Sequence, residues 1–283
     1  QLFGFNPDGI VTYHATLQGA INQAEDDAGD YIFIAPGHTE TIDSTGDVLI
    51  DAPGLTIIGL GQGDLLPLFN ITSTSGKIQI TKNDVTLKDI RVRPGAGSSG
   101  CAAGIELLST TAARNITLDG IVWGPRSSQC AAFDTMVDFG TNSSGANYFD
   151  GLTIKNNIFQ YYTTSVTGAG IALNLVTDGI DNLSILDNRG AIFSSGSWLQ
   201  SSGTSYGTNI SGNVIHNQSS SAPLVDLNGT AIYGTMGFNT FSGQSTGAYT
   251  TLIDPGGMNP IETYVSCASA ANKTGRLSEA TIT

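Results

Sequence analysis

A short strand-like motif recurs along the chain, and this repetition is the strongest constraint on the fold. The motif reads NDVTLKDIRVRP at 83–94, and its later copies lie at 113–125, 149–160, 180–192, 207–217 and 234–243. Its equivalent positions, spaced by 31, 36, 31, 25 and 26 residues, are Thr86, Thr117, Thr153, Ser184, Asn209 and Thr235. A fixed strand at such spacings predicts a solenoid whose loops vary in length.

A second repeat alternates with the first. Its copies are GIELL at 104–108, TMVDF at 135–139, AGIALNL at 169–175, SWLQ at 197–200, APLVDL at 222–227 and TTLID at 250–254. Apolar and polar residues alternate in VTLK at 85–88, as in strands with one buried face. The runs between copies are Gly, Ser, Asn and Thr, which suit turns. The chain is therefore predicted to be all-β, a parallel β-helix with at least two strands per coil and two parallel sheets.

The first repeat also predicts which side chains point inward and which stack at the turn. The inward positions are Val85, Leu87, Ile116, Leu118, Leu152, Ile154, Leu183 and Ile185. Four residues after the marker position, the later copies carry Asn157, Asn188, Asn213 and Asn239. Asparagine tolerates the left-handed conformation of a sharp bend, and stacked asparagines can bond to each other. We expect a structural asparagine ladder, confined to the C-terminal half because the first two copies carry Ile90 and Ile121.

The repeat divides the chain into three parts. Residues 1–30 form an N-terminal segment. Within it, residues 16–28 have apolar side chains at helical spacing and Thr16 as N-cap, which predicts a helix lying over the open first coil. Residues 31–260 form the β-helix. Residues 261–283 leave the repeat as a tail that covers the last coil or reaches a neighbouring subunit. The start of the chain lacks the basic and apolar regions of a signal peptide.

Charge and composition exclude several classes of function. The chain has 11 basic and 24 acidic residues, a net charge of −13, with no basic cluster to bind nucleic acid. It has no apolar run of about 18 residues, so no membrane span is expected. The three histidines lack metal-ligand spacing, so we expect no metal and no cofactor. Cys101 and Cys130 are about one coil apart, and either a disulfide or two buried thiols fits that spacing.

The opening coils resemble a known superfamily. Strands are predicted at 31–35 and 55–60, with an APG turn after the first and the sequence IGLGQG closing the second. The order of these elements, a helix, a strand, an APG turn and a second strand, resembles the first coils of pectate-lyase-like right-handed parallel β-helices. The resemblance is strongest to the branch found among phage and marine viral proteins. The likeness covers 16–257 and, with the preference of parallel crossovers for the right hand, implies a right-handed helix. The W-I-D-H stretch of pectate lyases and the paired-Asp and Gly-His-Gly motifs of polygalacturonases are absent.

Two sets of residues are candidates for the functional site. The second repeat places in one register Glu106, Asp138, Asn174, Gln200, Asp226 and Asp254. With coils about 4.8 Å apart, this column offers a row of oxygens for cations or sugar hydroxyls, or a carboxylate pair for glycoside hydrolysis. It also fits the polar row that any half-exposed sheet shows. The second set is aromatic and suits sugar stacking or, as we prefer, a subunit interface: Trp123, Phe159, Tyr161 and Tyr162.

The missing catalytic motifs and the resemblance together predict a non-catalytic virion structural protein, a capsid decoration or fibre subunit. We expect it at the virion surface or outside cells, in contact with other virion proteins and as a homotrimer by analogy with viral β-helices. One alternative is a tailspike-like lyase or glycoside hydrolase acting on cell-surface polysaccharide, and another is a glycan-binding adhesin. The predicted helix begins at Thr16, which leaves too few residues for a tailspike attachment domain.

Overall fold

In the computed structural model the chain winds as a parallel β-helix in which successive strands lie on three faces. The structure describes residues 2–5, 11–26, 28–95, 101–108, 113–124, 133–139, 148–160, 171–192, 197–217, 224–227, 231–243, 253–254, 259–261, 263–267 and 274–277. Faces 1 and 2 belong to one 18-stranded sheet, because two long strands run through both, and face 3 is a 10-stranded sheet. The two sheets agree with the two that the repeats predicted, and because one of them forms two faces, the core has three walls.

Each face is a stack of short strands. Face 1 contains Val48–Ile50, Ile78–Ile80, Cys101–Leu107, Phe133–Phe139, the first residues of Ile171–Asp181 and of Leu199–Ser211, Val225–Asp226 and Ile253–Asp254. Face 2 contains Tyr31–Ile34, Thr56–Gly59, Thr86–Lys88, Ala113–Asp119, Tyr148–Lys155, the last residues of Ile171–Asp181, Ser184–Leu186, the last residues of Leu199–Ser211, Ala231–Gly237 and Asn259–Ile261. Face 3 contains Thr39–Ile42, Leu68–Ile71, Arg91–Pro94, Val122–Trp123, Ile158–Gln160, Arg189–Ile192, Val214–Asn217, Thr240–Gly243, Thr263–Cys267 and Thr274–Leu277.

The register of face 2 confirms the predicted repeat. Thr86 pairs with Thr117, and Thr117 pairs with Thr153 on the next coil. The same column continues through Ser184 and Asn209 to Thr235. The apolar positions that were predicted to point inward are all at most 1% exposed. An all-β parallel solenoid is thus the fold of this chain.

A column of sharp bends follows the strands of face 2. Its residues have positive φ and are Asp89 (53°), Gly120 (67°), Asn156 (56°), Asp187 (54°), Gly212 (70°) and Phe238 (55°). Glycine, asparagine and aspartate adopt this left-handed conformation readily, whereas bulky residues are strained in it. Gly212 has a further reason to lack a side chain, because a Cβ there would lie 2.1 Å from Oδ1 of Asp187. Phe238 is therefore the one bulky residue of this column.

Replacing Phe238 with glycine is expected to raise the free energy of unfolding by about 1 kcal/mol, because it removes the left-handed strain. Little packing is lost, since the Phe238 side chain is 67% exposed. The control is Phe238→Ala, which removes the ring but keeps the Cβ that causes the strain. Urea unfolding of the three proteins measures the difference, and a glycine variant no more stable than the alanine variant would contradict the prediction.

The N-terminal helix is shorter than the sequence predicted. It spans Leu17–Ile21 and not 16–28, although Thr16 is its N-cap, with Oγ1 accepting from the Gly19 N–H at 3.2 Å. The helix ends where the apolar spacing gives way to a polar and acidic run. There the carboxylate of Asp30 accepts from the Glu25 N–H at 2.8 Å and holds the chain in a turn.

An antiparallel hairpin, which the sequence analysis did not predict, joins this helix at the N-terminal end. Leu2–Phe5 pairs antiparallel with Val11–His14 and with Tyr31–Ile34, the first strand of face 2. Leu17, Ala20 and Ile21 are buried in the core. The hairpin and the helix together cover the edge and the interior of the first coil, which a solenoid must protect.

The parallel stacking extends into the segment predicted as a tail. Thr263–Cys267 pairs parallel with Thr240–Gly243, and Thr274–Leu277 then pairs antiparallel with Thr263–Cys267.

The Cys101 side chain is buried and its thiol donates to the Ile71 carbonyl at 3.2 Å. Cys130 lies outside the described residues, so the pairing of these cysteines stays untested. No helix within the described ranges is long and apolar enough to cross a membrane.

Candidate functional site

The four predicted ladder asparagines form one continuous hydrogen-bonded column between faces 2 and 3. Asn157 donates from Nδ2 to Oδ1 of Asn188 at 3.0 Å, Asn188 donates to Asn213 at 2.9 Å, and Asn213 donates to Asn239 at 2.9 Å. All four side chains are 0% exposed. Each also donates to a backbone carbonyl of the preceding coil, such as that of Ile185 for Asn213. With every polar group paired inside the core, the column has a structural role.

Two of the predicted interface aromatics lie in the core, which corrects the interface prediction for them. Trp123 is 1% exposed and Phe159 is 0% exposed, and their rings stack with centroids 6.3 Å apart and an interplanar angle of 4°. The reason is strand alternation on face 3, where Val122 and Ile158 point outward and the next residue points inward. Tyr161 and Tyr162 lie outside the described residues.

The predicted polar column lies in one register along the outside of face 1. Glu106 pairs with Asp138, Asp138 with Asn174, and Asn174 with Gln200. Gln200 pairs with Asp226, and the backbone of Asp226 pairs with that of Asp254. Face 1 therefore carries a line of carboxylate and amide groups, one on each coil.

Two residues that the sequence analysis did not include, Lys77 and Gln79, bond to this column. Glu106 accepts from Nζ of Lys77 at 2.7 Å and from Nε2 of Gln79 at 2.6 Å, so both of its oxygens are occupied. Asp138 accepts from Nδ2 of Asn174 at 2.7 Å. Gln79 stands in register with Glu106, so extending the column by one coil toward the N-terminus would have found it. The polar groups at this end of the column, from Gln79 to Asn174, therefore bond within the column or to Lys77.

Asp138 has the most perturbed environment in the column. Burial raises the pKa of its carboxyl above the usual value, the hydrogen bond from Asn174 opposes this shift, and the negative charge of Glu106 adds to it. Glu106, by contrast, is held against the ammonium group of Lys77. Asp138 and Glu106 therefore lie on adjacent coils in different environments, one with a raised carboxyl pKa and the other paired with an ammonium group.

Replacing Asp138 with asparagine is expected to stabilise the fold at about pH 7, with a gain that fades as the pH falls. A raised folded-state pKa means that the stability Asp138 contributes is present below its unfolded pKa and is lost as the pH rises through its folded pKa. The amide oxygen of the substituted side chain can still accept from Asn174. Chemical unfolding of the wild type and the variant at about pH 7 and at a pH below the unfolded pKa of aspartate tests the prediction. The control is Asp134→Asn, on the exposed side of the same strand. A gain that is absent, or equal at both ends of the range, would count against it.

A pair of exposed tyrosines is a further candidate that the sequence analysis missed. Tyr206 and Tyr233 are 55% and 51% exposed, and their rings stack with centroids 5.2 Å apart and an interplanar angle of 9°. Asp181 stands one coil before Tyr206 in the same register and accepts from its N–H at 3.2 Å. Exposed rings beside a carboxylate can stack on and bond to sugars. Their signal in the sequence is that each tyrosine lies shortly before a marker, three residues before Asn209 and two residues before Thr235.

No metal centre is evident in the described part of the chain, where no group of three or more His, Cys, Asp or Glu side chains is arranged to hold an ion.

Comparisons with known proteins add little to this picture. No family model and no curated protein matches the chain. Among solved structures, the chain is similar to the pectin methylesterase from Aspergillus niger in deglycosylated form, with 13% identity, a TM-score of 0.48 and coverage of 94% of this chain and 85% of that chain. At that similarity we transfer no residue role to this protein.

Proposed function

We propose that this protein is a non-catalytic structural subunit of a virus particle, a capsid decoration or a fibre component. It acts at the virion surface by association with further copies of itself, as a trimer, and with neighbouring capsid or tail proteins. The viral placement is supported by the APG turn and IGLGQG stretch at the start of the repeat, which resemble the viral branch of pectate-lyase-like β-helices.

The observation that carries the non-catalytic part is the internal pairing of the polar column. Both oxygens of Glu106 are occupied by Lys77 and Gln79, and Asp138 bonds to Asn174. Catalytic groups need free hydrogen-bonding capacity toward a substrate, whereas a structural row satisfies itself. The interior asparagine ladder and the continuous stacks favour a rigid rod, which suits display on a particle.

Copy number in purified particles tests this proposal. Gel densitometry of virions, calibrated against the major capsid protein, is expected to give hundreds of copies for a decoration subunit. Native mass spectrometry of the isolated protein is expected to give a trimer. Absence of the protein from purified particles would overturn the viral placement, and a pure monomer at all concentrations would overturn association.

A second candidate is cleavage of a polysaccharide, favoured by one observation: Asp138, a carboxyl of raised pKa, pairs in register with Glu106 on the adjacent coil. Adjacent coils are about 4.8 Å apart, close to the carboxyl spacing of retaining glycosidases. Incubation with host-surface polysaccharide, followed by reducing-end and unsaturation assays, tests it. Cleavage that is lost in Asp138→Asn and in Asp226→Asn would replace the structural proposal with the enzymatic one.

A further inference from the structure

Face 3 differs in charge from the rest of the molecule. The chain has 24 acidic and 11 basic residues. Among the strands of face 3 the acidic residue is Glu40, which is turned toward the helix and accepts from the Leu17 N–H at 2.9 Å. The same strands carry four arginines, which are Arg91, Arg93, Arg189 and Arg276. In a protein of net charge −13, the strands of this sheet therefore carry more basic than acidic residues, although Arg91 is paired with Asp64 at 3.8 Å.

The outer surface of face 3 also exposes apolar side chains in line with these arginines. One register column runs from Arg91 through Val122 and Ile158 to Arg189 and Val214. Ile158 and Val214 are 38% and 50% exposed, and they lie one coil before and one coil after the exposed Arg189. Arginine next to exposed aliphatic side chains is a typical composition for the centre of a protein interface.

Face 1 has the complementary charge. Its strands contain no lysine or arginine, and its outer column carries Asp138 and Asp226, while the charge of Glu106 is balanced by Lys77. Asp226 is partly exposed, and no hydrogen-bond partner for its side chain lies among the described residues. Two faces of the same solenoid are thus opposite in charge.

We propose that face 3 of one copy packs on face 1 of a second copy, an inference that rests on the proposed function by association. An anionic polysaccharide fits face 3 less well, because Val122 and Ile158 separate Arg91 from Arg189 and leave the cations too dispersed for a polyanion. A contact of roughly 40 Å by 13 Å, from strand spacing and strand length, would bury about 1,000 Å² in total, near the lower bound for a specific interface.

This arrangement uses two different surfaces of each copy, so it is heterologous. Such contacts close into a ring when the rotation between copies permits and otherwise extend as a filament. A closed ring of three is the form that agrees with the proposed trimer. Because the contact pairs opposite charges near the surface, it weakens as salt screens them.

Charge reversal on the two faces tests the pairing. Arg189→Glu is expected to weaken self-association at least about tenfold, as like charges then face each other. The double variant Arg189→Glu, Asp226→Arg is expected to recover association, because the signs are exchanged and not lost. The matched control is Lys82→Glu, which makes the same charge change at an exposed position outside both faces. Sedimentation velocity at 0.05 and 0.5 M salt, with circular dichroism to verify folding, measures all four proteins.

The possible outcomes distinguish failure of the face 3 to face 1 contact from failure of self-association, on which that contact depends. If the wild type associates and Arg189→Glu does not weaken the association, face 3 is not the contact, although association stands. If Arg189→Glu weakens association and the double variant stays weak, face 1 is not the partner surface. If the wild type is a monomer throughout, association itself fails and the pairing with it.

Discussion

Replacing Leu118 with aspartate is expected to abolish folding. Leu118 is 0% exposed and lies in the core between Leu87 and Ile154 of the neighbouring coils. Burying an unpaired carboxylate among such side chains costs several kcal/mol or more, and the lost apolar contacts add about 2–5 kcal/mol. Together these effects equal or exceed the total stability of a typical domain, about 5–15 kcal/mol.

The control for this variant is Thr117→Asp, one residue earlier on the same strand, where the side chain is partly exposed on the outer side. Soluble yield, far-ultraviolet circular dichroism and thermal melting compare the two. A Leu118→Asp protein with normal yield and unchanged melting would mean that the strand is shifted by one residue from the register described here.

Replacing Asn213 with alanine is expected to cost about 3 kcal/mol or more, the second largest effect. Its Oδ1 accepts from the backbone N–H of Asn188 at 3.0 Å and from Nδ2 of Asn188 at 2.9 Å. Its Nδ2 donates to the Ile185 carbonyl and to Oδ1 of Asn239, each at 2.9 Å. Alanine removes all of these partners at once, and each buried polar group left unpaired costs about 1–3 kcal/mol.

The matched control is Asn209→Ala, four residues earlier, where the asparagine is partly exposed on the outer side of face 2. Urea unfolding of the wild type and both variants gives the comparison, and the Asn209 variant is expected to lie within about 0.5 kcal/mol of the wild type. Equal losses for the two variants would show that Asn213 serves the bend alone and that the column adds nothing.

The sequence predicts faces 1 and 2 well because similar residues recur at equivalent positions in successive copies of the two repeats. The markers Thr86 to Thr235 and the column Glu106 to Asp226 each stand in the predicted register. In a parallel stack the same residue type recurs on successive coils, so register can be read by aligning the copies. The repeated copies therefore show, without a structure, which residues of neighbouring coils pair.

Face 3 was missed because its strands follow those of face 2 within the same repeated motif, as Ile158–Gln160 follows Tyr148–Lys155 in the copy at 149–160. Val122–Trp123 has two residues, and Ile158–Gln160 has three. The available signal was a fixed offset: inward residues lie six positions after the markers, as in Val92, Trp123, Phe159, Ile215 and Phe241. Without that offset, Trp123 and Phe159 looked like loop aromatics at a surface.

The N-terminal hairpin and the pairing of Lys77 with Glu106 could not be predicted from the repeats, for a different reason. Both depend on residues that meet only after the coils have formed, and neither belongs to a repeated copy. The charge difference between faces 1 and 3 was hidden in the same way, since net charge sums over residues and does not show which side of the molecule they occupy.

The asparagine ladder has an electrical direction. Each amide accepts through its oxygen from the coil before it, and Asn157, Asn188 and Asn213 donate from Nδ2 to the oxygen of the next asparagine along the ladder. Their dipoles therefore point the same way along the rod, and in a buried column each polarises the next. The two ends of the ladder therefore differ in sign, as the ends of an α-helix do, with the positive pole toward the C-terminal coils.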